Sequence, residues 1–380
     1  MTMVVLDQLA AASVSAAVAE LKAQVPESHL LALIPEAESA NVGLLQEACR
    51  QAGMALAGAM FPQLVHGDRL VGRGAVLLQV TGAPPPRLIE NIAAADAPAR
   101  IADAVAEYVE GSLGDADEAA LFCIFDALVP NIASHLDAWY LRLADRVGYY
   151  GVNAGNERFA PAPCLFDGER FIDKAVLLQL LPGHPGACLE HGYGIPENGI
   201  TATAAAGNRI IQIDWRPALD VYRDLIARQY GVALDRDNFY THAVLFPFGI
   251  LRADGEVLVR IPVALGDDGE IVCVGEIPPY SILTLLDARA ATGRTAAALA
   301  RQLAARGAGV AGGDLLLFYC AGRRMHMGEG VGIELAEVAR ETAARQVAGG
   351  LSLGEIGGSR SGGYPLFHNA TLVGMPCSNP

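Results

Sequence analysis

Residues 75–79 read Ala-Val-Leu-Leu-Gln, and the same five residues recur at 175–179, which indicates an internal repeat. Each copy closes a segment that begins with an apolar run, at residues 30–34 and 120–125, and continues into a helix-length stretch. Short apolar runs bounded by Gly, Asp and Asn are typical of buried strands. Parallel strands require a long crossover, usually a helix. We therefore interpret each segment as one copy of a β-α-β unit.

A third segment follows the same order, with a strand at 314–320, a helix at 333–347 and a closing strand at 369–375. Gly-Asp at 67–68 and Asp-Gly at 167–168 predict hairpin turns before the closing strands of the first two segments. The sequence thus predicts an α/β fold of repeated β-α-β-hairpin units. These units are expected to form mixed sheets flanked by helices, in two similar halves.

A Gly- and Pro-rich stretch at 181–200 marks a domain boundary. We assign residues 1–186 to an N-terminal domain with two β-α-β units, and residues 187–380 to a C-terminal domain. The second domain is expected to contain a meander and the third unit.

In the C-terminal domain, the sequence before the third unit does not follow the repeated β-α-β pattern. A helix is predicted at 218–230 and another at 295–306. Between them, apolar runs at 244–246, 256–261 and 270–274 alternate with Asp-Gly turn signals, which favours an antiparallel meander.

Composition limits the class of protein. Hydrophobic residues make up 52% of the chain, and 27 basic residues oppose 42 acidic ones, for a net charge of −15. Such a balance argues against nucleic acid and anionic membrane surfaces as partners. The N-terminus lacks signal-peptide features, and no apolar run is long enough to span a bilayer, so we expect a cytoplasmic protein. Seven widely spaced cysteines without a C-x-x-C pair indicate neither a disulfide framework nor a zinc site.

Several short motifs occur together in the C-terminal half. They lie at residues 207–222, 246–250, 320–324, 354–356 and 367–372. In this order they resemble the C-terminal half of FIST-domain proteins, and the resemblance covers most of residues 187–376. The N-terminal half resembles the family's other half, but residues 61–63 read Phe-Pro-Gln where members often carry a Gly-Glu element.

This resemblance implies a sensory and signal-transduction role in bacteria, with a small ligand bound inside the double domain. Members of about this size include haem proteins that sense nitric oxide and act on a partner histidine kinase. The resemblance therefore implies haem as a candidate cofactor and a histidine kinase as a candidate partner. Whether the chain forms a homo-oligomer is left open.

The Gly-rich stretch at 349–363 is the richest candidate site, because it follows a predicted strand and should lie at the edge where α/β sheets bind ligands. The Cys-x-Gly-Arg element at 320–323 ends the neighbouring strand. We predict as ligand-binding residues Cys320, Gly322, Arg323, Gly350, Gly354, Glu355, His368 and Asn369.

Two of these side chains have alternative interpretations. Glu355 either binds the ligand or forms a buried pair with Arg323 or Arg324 that orders the loop. Cys320 is either a reactive thiolate beside an arginine or a small apolar core residue, and the second interpretation is favoured.

Few residues are candidates for binding a metal ion or a cofactor. No H-x-x-x-H or H-E-x-x-H pattern occurs, which argues against a zinc protease. A haem needs one proximal ligand and an apolar pocket. The best histidines for it are His242, before an apolar run, and His326, between two methionines.

An enzyme, a hydrolase or transferase acting through Cys320, Ser352 or Glu355, is the alternative to a sensor. Residues 350–354 match G-x-S-x-G, but no helix is predicted after the serine, as a nucleophile elbow requires. Residues 307–312 match G-x-G-x-x-G between a helix and a strand, the reverse of the dinucleotide-binding order. We interpret both as chance matches within a Gly-rich sequence. We therefore favour a sensor that does not turn over a substrate.

Overall fold

A computed structural model describes residues 1–114, 118–197, 199–253, 255–287, 293–307, 310–359 and 362–377. The fold is α/β, and β-α-β units build three six-stranded mixed sheets flanked by helices, as the sequence predicts. Among the described helices, none combines the length and the apolar character needed to cross a membrane.

The first unit contains two parallel strands joined by a crossover helix. Its elements are β1 (Thr2–Leu6), α1 (Ala11–Gln24), β2 (His29–Pro35), α2 (Val42–Ala52), β3 (Leu56–Phe61), β4 (Leu64–His66), β5 (Arg69–Val71) and β6 (Ala75–Val80). β2 and β3 are parallel, and α2 provides the crossover that such a pair requires. β6 returns antiparallel to β2, and β1 pairs with its outer edge.

The second unit repeats this plan. Its elements are β7 (Arg87–Ile89), α3 (Ala97–Glu110), β8 (Ala119–Asp126), α4 (Ile132–Leu143), β9 (Gly148–Ala154), β10 (Leu165–Asp167), β11 (Phe171–Ile172) and β12 (Val176–Pro182). β8 and β9 are parallel, and β12 runs antiparallel to β8 with β7 on its outer edge. The two Ala-Val-Leu-Leu-Gln stretches therefore occupy equivalent strands, β6 and β12.

The third unit is interrupted after its first strand, β13 (Cys188–Glu190). The inserted module contains β14 (Ile200–Thr201), β15 (Ala204–Ala206), β16 (Arg209–Ile213), β17 (Arg216–Pro217), α5 (Ala218–Tyr230), α6 (Phe239–Ala243), β18 (Phe248–Leu251), β19 (Val257–Arg260), β20 (Pro262–Leu265), β21 (Ile271–Cys273) and β22 (Ile282–Leu285). The unit then resumes with α7 (Thr295–Ala305), β23 (Asp314–Cys320), α8 (Ala321–Met327), α9 (Val331–Thr342), β24 (Gln346–Ser352), β25 (Glu355–Ser359), β26 (Gly362–His368) and β27 (Leu372–Pro376).

The hairpin of each unit joins the sheet of another unit. β4 pairs with β24 of the third unit, β25 pairs with β9 of the second, and β10 pairs with β3 of the first. All three sheets consequently have the same strand order, and the exchange closes a ring. This ring crosses the boundary proposed between residues 186 and 187, which stays a prediction.

One core joins the three units. Phe61, Phe122 and Phe318 come from β3, β8 and β23, and each is at most 1% exposed. The ring of Phe318 lies 5.5 Å from that of Phe61 and 5.8 Å from that of Phe122, between ring centroids. Such aromatic contacts and the hydrophobic effect hold the units against one another.

Each parallel pair approaches closely at a glycine in the second strand. Gly58, Gly151 and Gly349 lie opposite Ala32, Cys123 and Leu317 in the ladders. A Cβ atom at these glycines would lie 2.3, 2.1 and 2.0 Å from the facing carbonyl oxygens. The same close contact therefore recurs at the equivalent position of all three units, as expected for a structural repeat.

Two predictions for the inserted module are wrong. Residues 244–246 are not a strand: the N–H of Phe246 bonds to the carbonyl of Ala243, which extends the α6 turn, and the strand begins at Phe248. A short apolar run does not distinguish a buried helical turn from a strand. The meander is also divided, because β18 and β19 join one small sheet and β20 and β21 another.

The predicted loop at 354–358 is largely strand β25, since it pairs with β9 from the second unit. The glycine-rich sequence gives no local strand signal here. The strand that pairs with β25 is distant in sequence, so the pairing could not be predicted. Of the G-x-G-x-x-G match, Ala308 and Gly309 lie outside the described residues, as do Arg360 and Ser361 of the Gly-rich stretch.

Candidate functional site

A buried polar cluster forms where β23 and β24 end side by side. Cys320 and Ser352 are paired in the ladder, and β25 begins at Glu355. The Ser352 hydroxyl donates to Glu355 Oε1 over 2.6 Å, and the Thr371 hydroxyl donates to Glu355 Oε2 over 2.9 Å. Cys320 Sγ accepts from the Ala370 N–H at 3.1 Å. We call Cys320, Ser352, Glu355 and Thr371 the Glu355 cluster.

Burial controls the ionisation of this cluster. Glu355 has no exposed surface. Burial raises the pKa of Glu355 to about 7, although hydrogen bonds from Ser352 and Thr371 favour its charged form. Burial, and then the negative charge of Glu355, raises the pKa of the Cys320 thiol. The thiol form of Cys320 is therefore favoured over a thiolate.

Glu355 pairs with neither arginine named as its partner. Arg323 is fully buried and forms a two-point ion pair with Glu334, with Nη2–Oε1 at 2.5 Å and Nε–Oε2 at 2.8 Å. Its other N–H groups donate to Thr295 Oγ1 and to the carbonyls of His191 and Ala370. All five guanidinium donors are thus engaged by protein acceptors. Its ligand-binding role stays a prediction.

Arg324, the next residue, points to a different place. It donates to Gln63 Oε1 at 3.1 Å and forms an ion pair with Glu157. These partners belong to the first and second units. Arg324 therefore joins all three units at one wall of a cavity.

This cavity, the Cys320 cavity, has a volume of about 380 Å³ and lies at the carboxyl ends of β23 and β24. Its buried floor includes Cys320, Leu351, Leu353, Ile261 and Asn369. Its exposed mouth includes Glu157, Arg158, Phe159, Tyr240 and Met325. A mostly apolar recess with a few polar groups at the carboxyl ends of parallel strands is where α/β proteins bind small molecules.

Three predicted site residues lie on this wall, namely Cys320, Gly322 and Asn369. The Asn369 amide donates to the carbonyls of Val259 and Val274, which anchors the wall to the inserted module. Their roles in binding stay predictions.

His368 faces another cavity than its neighbour Asn369. It lies with His191 and Thr371 on the wall of a recess of about 430 Å³, the His368 cavity. Burial and the nearby Arg260 charge lower the pKa of His368 to about 3, so the ring is neutral at neutral pH. Its Nε2 lies 4.0 Å from Glu256 Oε1 and has no hydrogen-bond partner in the described part of the chain.

Gly350 and Gly354 allow close packing rather than lining the Cys320 cavity. A Cβ atom at Gly350 would lie 2.9 Å from the Phe61 ring. Gly354 has φ +152°, and a Cβ atom there would lie 2.8 Å from Asn153 Nδ2. Their ligand-binding roles also stay predictions.

The two candidate haem ligands lie outside the Cys320 cavity wall. His326 is close to the buried Tyr193 hydroxyl, 3.1 Å from Nδ1, and burial together with the Arg323 charge lowers its pKa to about 3. His242 lies in the last turn of the short helix α6 and is half-buried. Neither histidine lines this cavity, and their roles as haem ligands stay predictions. Among the described residues, no group of three or more His, Cys, Asp or Glu could hold a metal ion.

The candidate nucleophiles Cys320, Ser352 and Glu355 lie close together, but the Ser352 hydroxyl is not accessible to a substrate. Ser352 is fully buried and its hydroxyl is bonded to Glu355. Strand β25 follows it, whereas a nucleophile elbow leads into a helix. Only Cys320 of the Glu355 cluster reaches the Cys320 cavity.

Sequence reasoning missed most of the cavity mouth. Tyr240, Phe159 and Glu157 come from the inserted module and the second unit, and no motif marks them. Thr371 lies within the motif at 367–372, but nothing in the sequence shows that its side chain bonds to Glu355. Such contacts depend on the hairpin exchange, which has no local signal.

Comparison with known families covers nearly the whole chain. The FIST N domain model matches residues 4–216, and the FIST C domain model matches residues 218–358. No curated protein matches the chain.

Proposed function

Because the chain belongs to the FIST family of sensory domains, which bind small ligands in signal transduction, we propose that its ligand binds in the Cys320 cavity. In this proposal the occupied protein signals to a partner such as a histidine kinase, in the bacterial cytoplasm. The observation that carries it is the recess of about 380 Å³ between the third unit and the inserted module.

Charge at the mouth indicates which ligands fit. The charged wall residues are Glu157, Arg158 and Arg324, two positive and one negative, in a chain whose net charge is −15. A locally basic mouth on an acidic protein favours a small ligand with an anionic group. The apolar floor would hold its body.

The Glu355 cluster offers a route from the ligand to the rest of the fold. Cys320 contributes to the cavity wall and lies against Glu355, which begins a strand paired with β9 of the second unit. A ligand that displaces the Cys320 side chain would change the surroundings of a carboxyl group whose pKa is about 7. Occupancy could thereby be coupled to the packing of two sheets.

The test uses 1-anilinonaphthalene-8-sulfonate, an anionic apolar fluorophore, as the probe. The variant Ala321→Phe fills the Cys320 cavity from its wall, and Ala339→Phe enlarges another half-buried helical alanine that is not part of this wall. We expect one saturable site, weakened about tenfold or more by Ala321→Phe and unchanged by Ala339→Phe. Equal affinity in all three proteins would contradict the proposed site.

Haem and nitric oxide sensing form a separate proposal, based on the family resemblance. It is tested by titrating the purified protein with haemin and recording the Soret band. A sharp stoichiometric band that shifts with nitric oxide, and disappears in His242→Ala or His326→Ala, would support it. A spectrum of free haemin alone would refute it.

A further inference from the structure

Another cavity lies beside the Cys320 cavity, at the equivalent place on the second unit. It has a volume of about 460 Å³ and is bordered by the β8–α4 connection, by Asn153 of β9 and by Gly207 and Asn208 of the inserted module. We call it the Asn153 cavity. The carboxyl ends of β8 and β9 thus bear a recess, just as those of β23 and β24 bear the Cys320 cavity.

Asn153 is an unusual wall residue because it is buried and incompletely bonded. Its side chain is 1% exposed, and its Oδ1 has no hydrogen-bond partner in the described part of the chain. A buried amide oxygen without a donor costs free energy, so such groups are rare unless a ligand or water completes them. Because Asn153 lies on the wall of this cavity, a ligand bound there is one source of the missing donor.

The surroundings of Asn153 favour a hydroxyl group as that donor. The first turn of α4, at Ile132 and Ala133, lies on the same wall, and no side chain caps this helix. Its backbone N–H groups can donate to an oxygen. Glu276 is the charged residue on this wall, which disfavours an anion. A hydroxyl group can both donate to Asn153 and accept from an N–H.

The two cavities share an apolar wall. Phe159, Val263, Val274 and Leu353 border both the Asn153 cavity and the Cys320 cavity. Leu353 is 6% exposed, whereas Phe159 is 49% exposed and has φ +50°, a rare conformation for an aromatic residue. A single molecule could lie across this wall with one end in each cavity.

We propose that the Asn153 cavity and the Cys320 cavity are two compartments of one site for an elongated amphiphile. Its anionic end lies at the basic mouth beside Arg158, because Arg324 is already paired with Glu157. Its apolar middle lies on the shared wall, and its far end places a hydroxyl at Asn153. This inference rests on the proposed ligand role of the Cys320 cavity. The repeat supplies one compartment from each of two units, and the inserted module covers both.

The experiment uses linear carboxylates of graded chain length, each with either a methyl or a hydroxyl group at the far end. Affinity and stoichiometry are measured by titration calorimetry on the full chain and on Asn153→Leu, which keeps the size and removes the polar atoms. One hydroxylated member is expected to bind about tenfold more tightly than its methyl analogue, at one molecule per chain. In Asn153→Leu this preference is expected to disappear, while the methyl analogue binds unchanged.

Further variants separate the failures. Asn153→Ala replaces Asn153→Leu if circular dichroism shows that the leucine variant is unfolded. Methyl compounds that bind and are blocked by Ala321→Phe, with no hydroxyl preference at any length, would overturn this inference alone. Two molecules per chain, each sensitive to only one of the two substitutions, would also overturn it. No binding by either series, together with fluorophore binding that Ala321→Phe leaves intact, would overturn both proposals.

Discussion

At the scale of single residues, the most informative group is the Glu355 carboxyl. Burial raises its pKa to about 7, above its ordinary value of 4.5. Between these pH values the unfolded chain has released the proton that the folded chain retains. Stability contributed by this group therefore falls as the pH rises through that window and is constant above it.

We expect Glu355→Gln to remove this dependence. From about pH 5 to about pH 8 the variant should gain on the order of 2–3 kcal/mol relative to the parent protein. The measurement is urea denaturation of both proteins across this range. Comparing the two cancels the histidines with lowered pKa, such as His326 and His368, whose contributions change in the opposite direction. A difference that does not vary with pH would show that Glu355 titrates normally.

A second prediction at the level of single residues concerns the buried ion pair between Arg323 and Glu334. Both side chains are almost fully buried, and Tyr319 also donates to Glu334. Arg323→Met leaves the carboxylate without its partner and should cost about 3–5 kcal/mol in the free energy of unfolding.

Two comparisons test this explanation. The double variant Arg323→Met, Glu334→Leu should recover much of the loss, because no buried charge remains. Arg50→Met breaks an exposed pair with Glu47 and should have no measurable effect. A double variant as unstable as Arg323→Met would point to lost packing instead of an unpaired charge.

At the scale of elements, the sequence predicted those strands and helices whose signals are local. The helix Ala218–Tyr230 agrees residue for residue, because Pro217 precedes it and Gly231 ends it at φ +68°. Two other helices end earlier than the sequence predicts, which is at residue 147 for α4 and at residue 347 for α9. α4 ends before Ala144 and α9 before Ala343, with φ +47° and +51°. Alanine gives no stop signal at a position where glycine is usual.

The alanine at the end of α9 should therefore be a site of strain. Ala343 has a left-handed conformation and donates its N–H to Arg340. Ala343→Gly is expected to stabilise the protein by about 1 kcal/mol. Ala336→Gly, at an exposed position inside the same helix, should destabilise it by about 1 kcal/mol. Thermal unfolding measures both, and equal signs for the two substitutions would contradict the explanation.

The candidate site was predictable only in part, for a related reason. Cys320 and Glu355 were identified because each lies in a motif at a strand end. Their contact, and the contributions of Phe159 and Asn153 to the cavities, follow from β25 pairing with β9 and from the inserted module. Those contacts join segments far apart in the chain, so no local pattern encodes them.

At the scale of the whole molecule, the closed hairpin exchange predicts that neither half folds alone. A chain ending at residue 186 lacks β24 and β25, so β4 and β9 each lose one neighbouring strand and expose an edge. The remaining chain, from residue 187, lacks Phe61 and Phe122, which contact Phe318 in the common core. Exposed strand edges and apolar surface then favour aggregation.

We expect each half, expressed separately, to show no cooperative unfolding transition by circular dichroism, and the full chain to show one. Co-expression of the two halves should restore a complex with a single transition, because the cut lies between β12 and β13 and breaks no sheet pairing. An N-terminal half that is monomeric and unfolds cooperatively on its own would show that the exchange is dispensable. The N-terminal half would then be an independent folding unit, and the cavities would form by docking of the two halves rather than by folding.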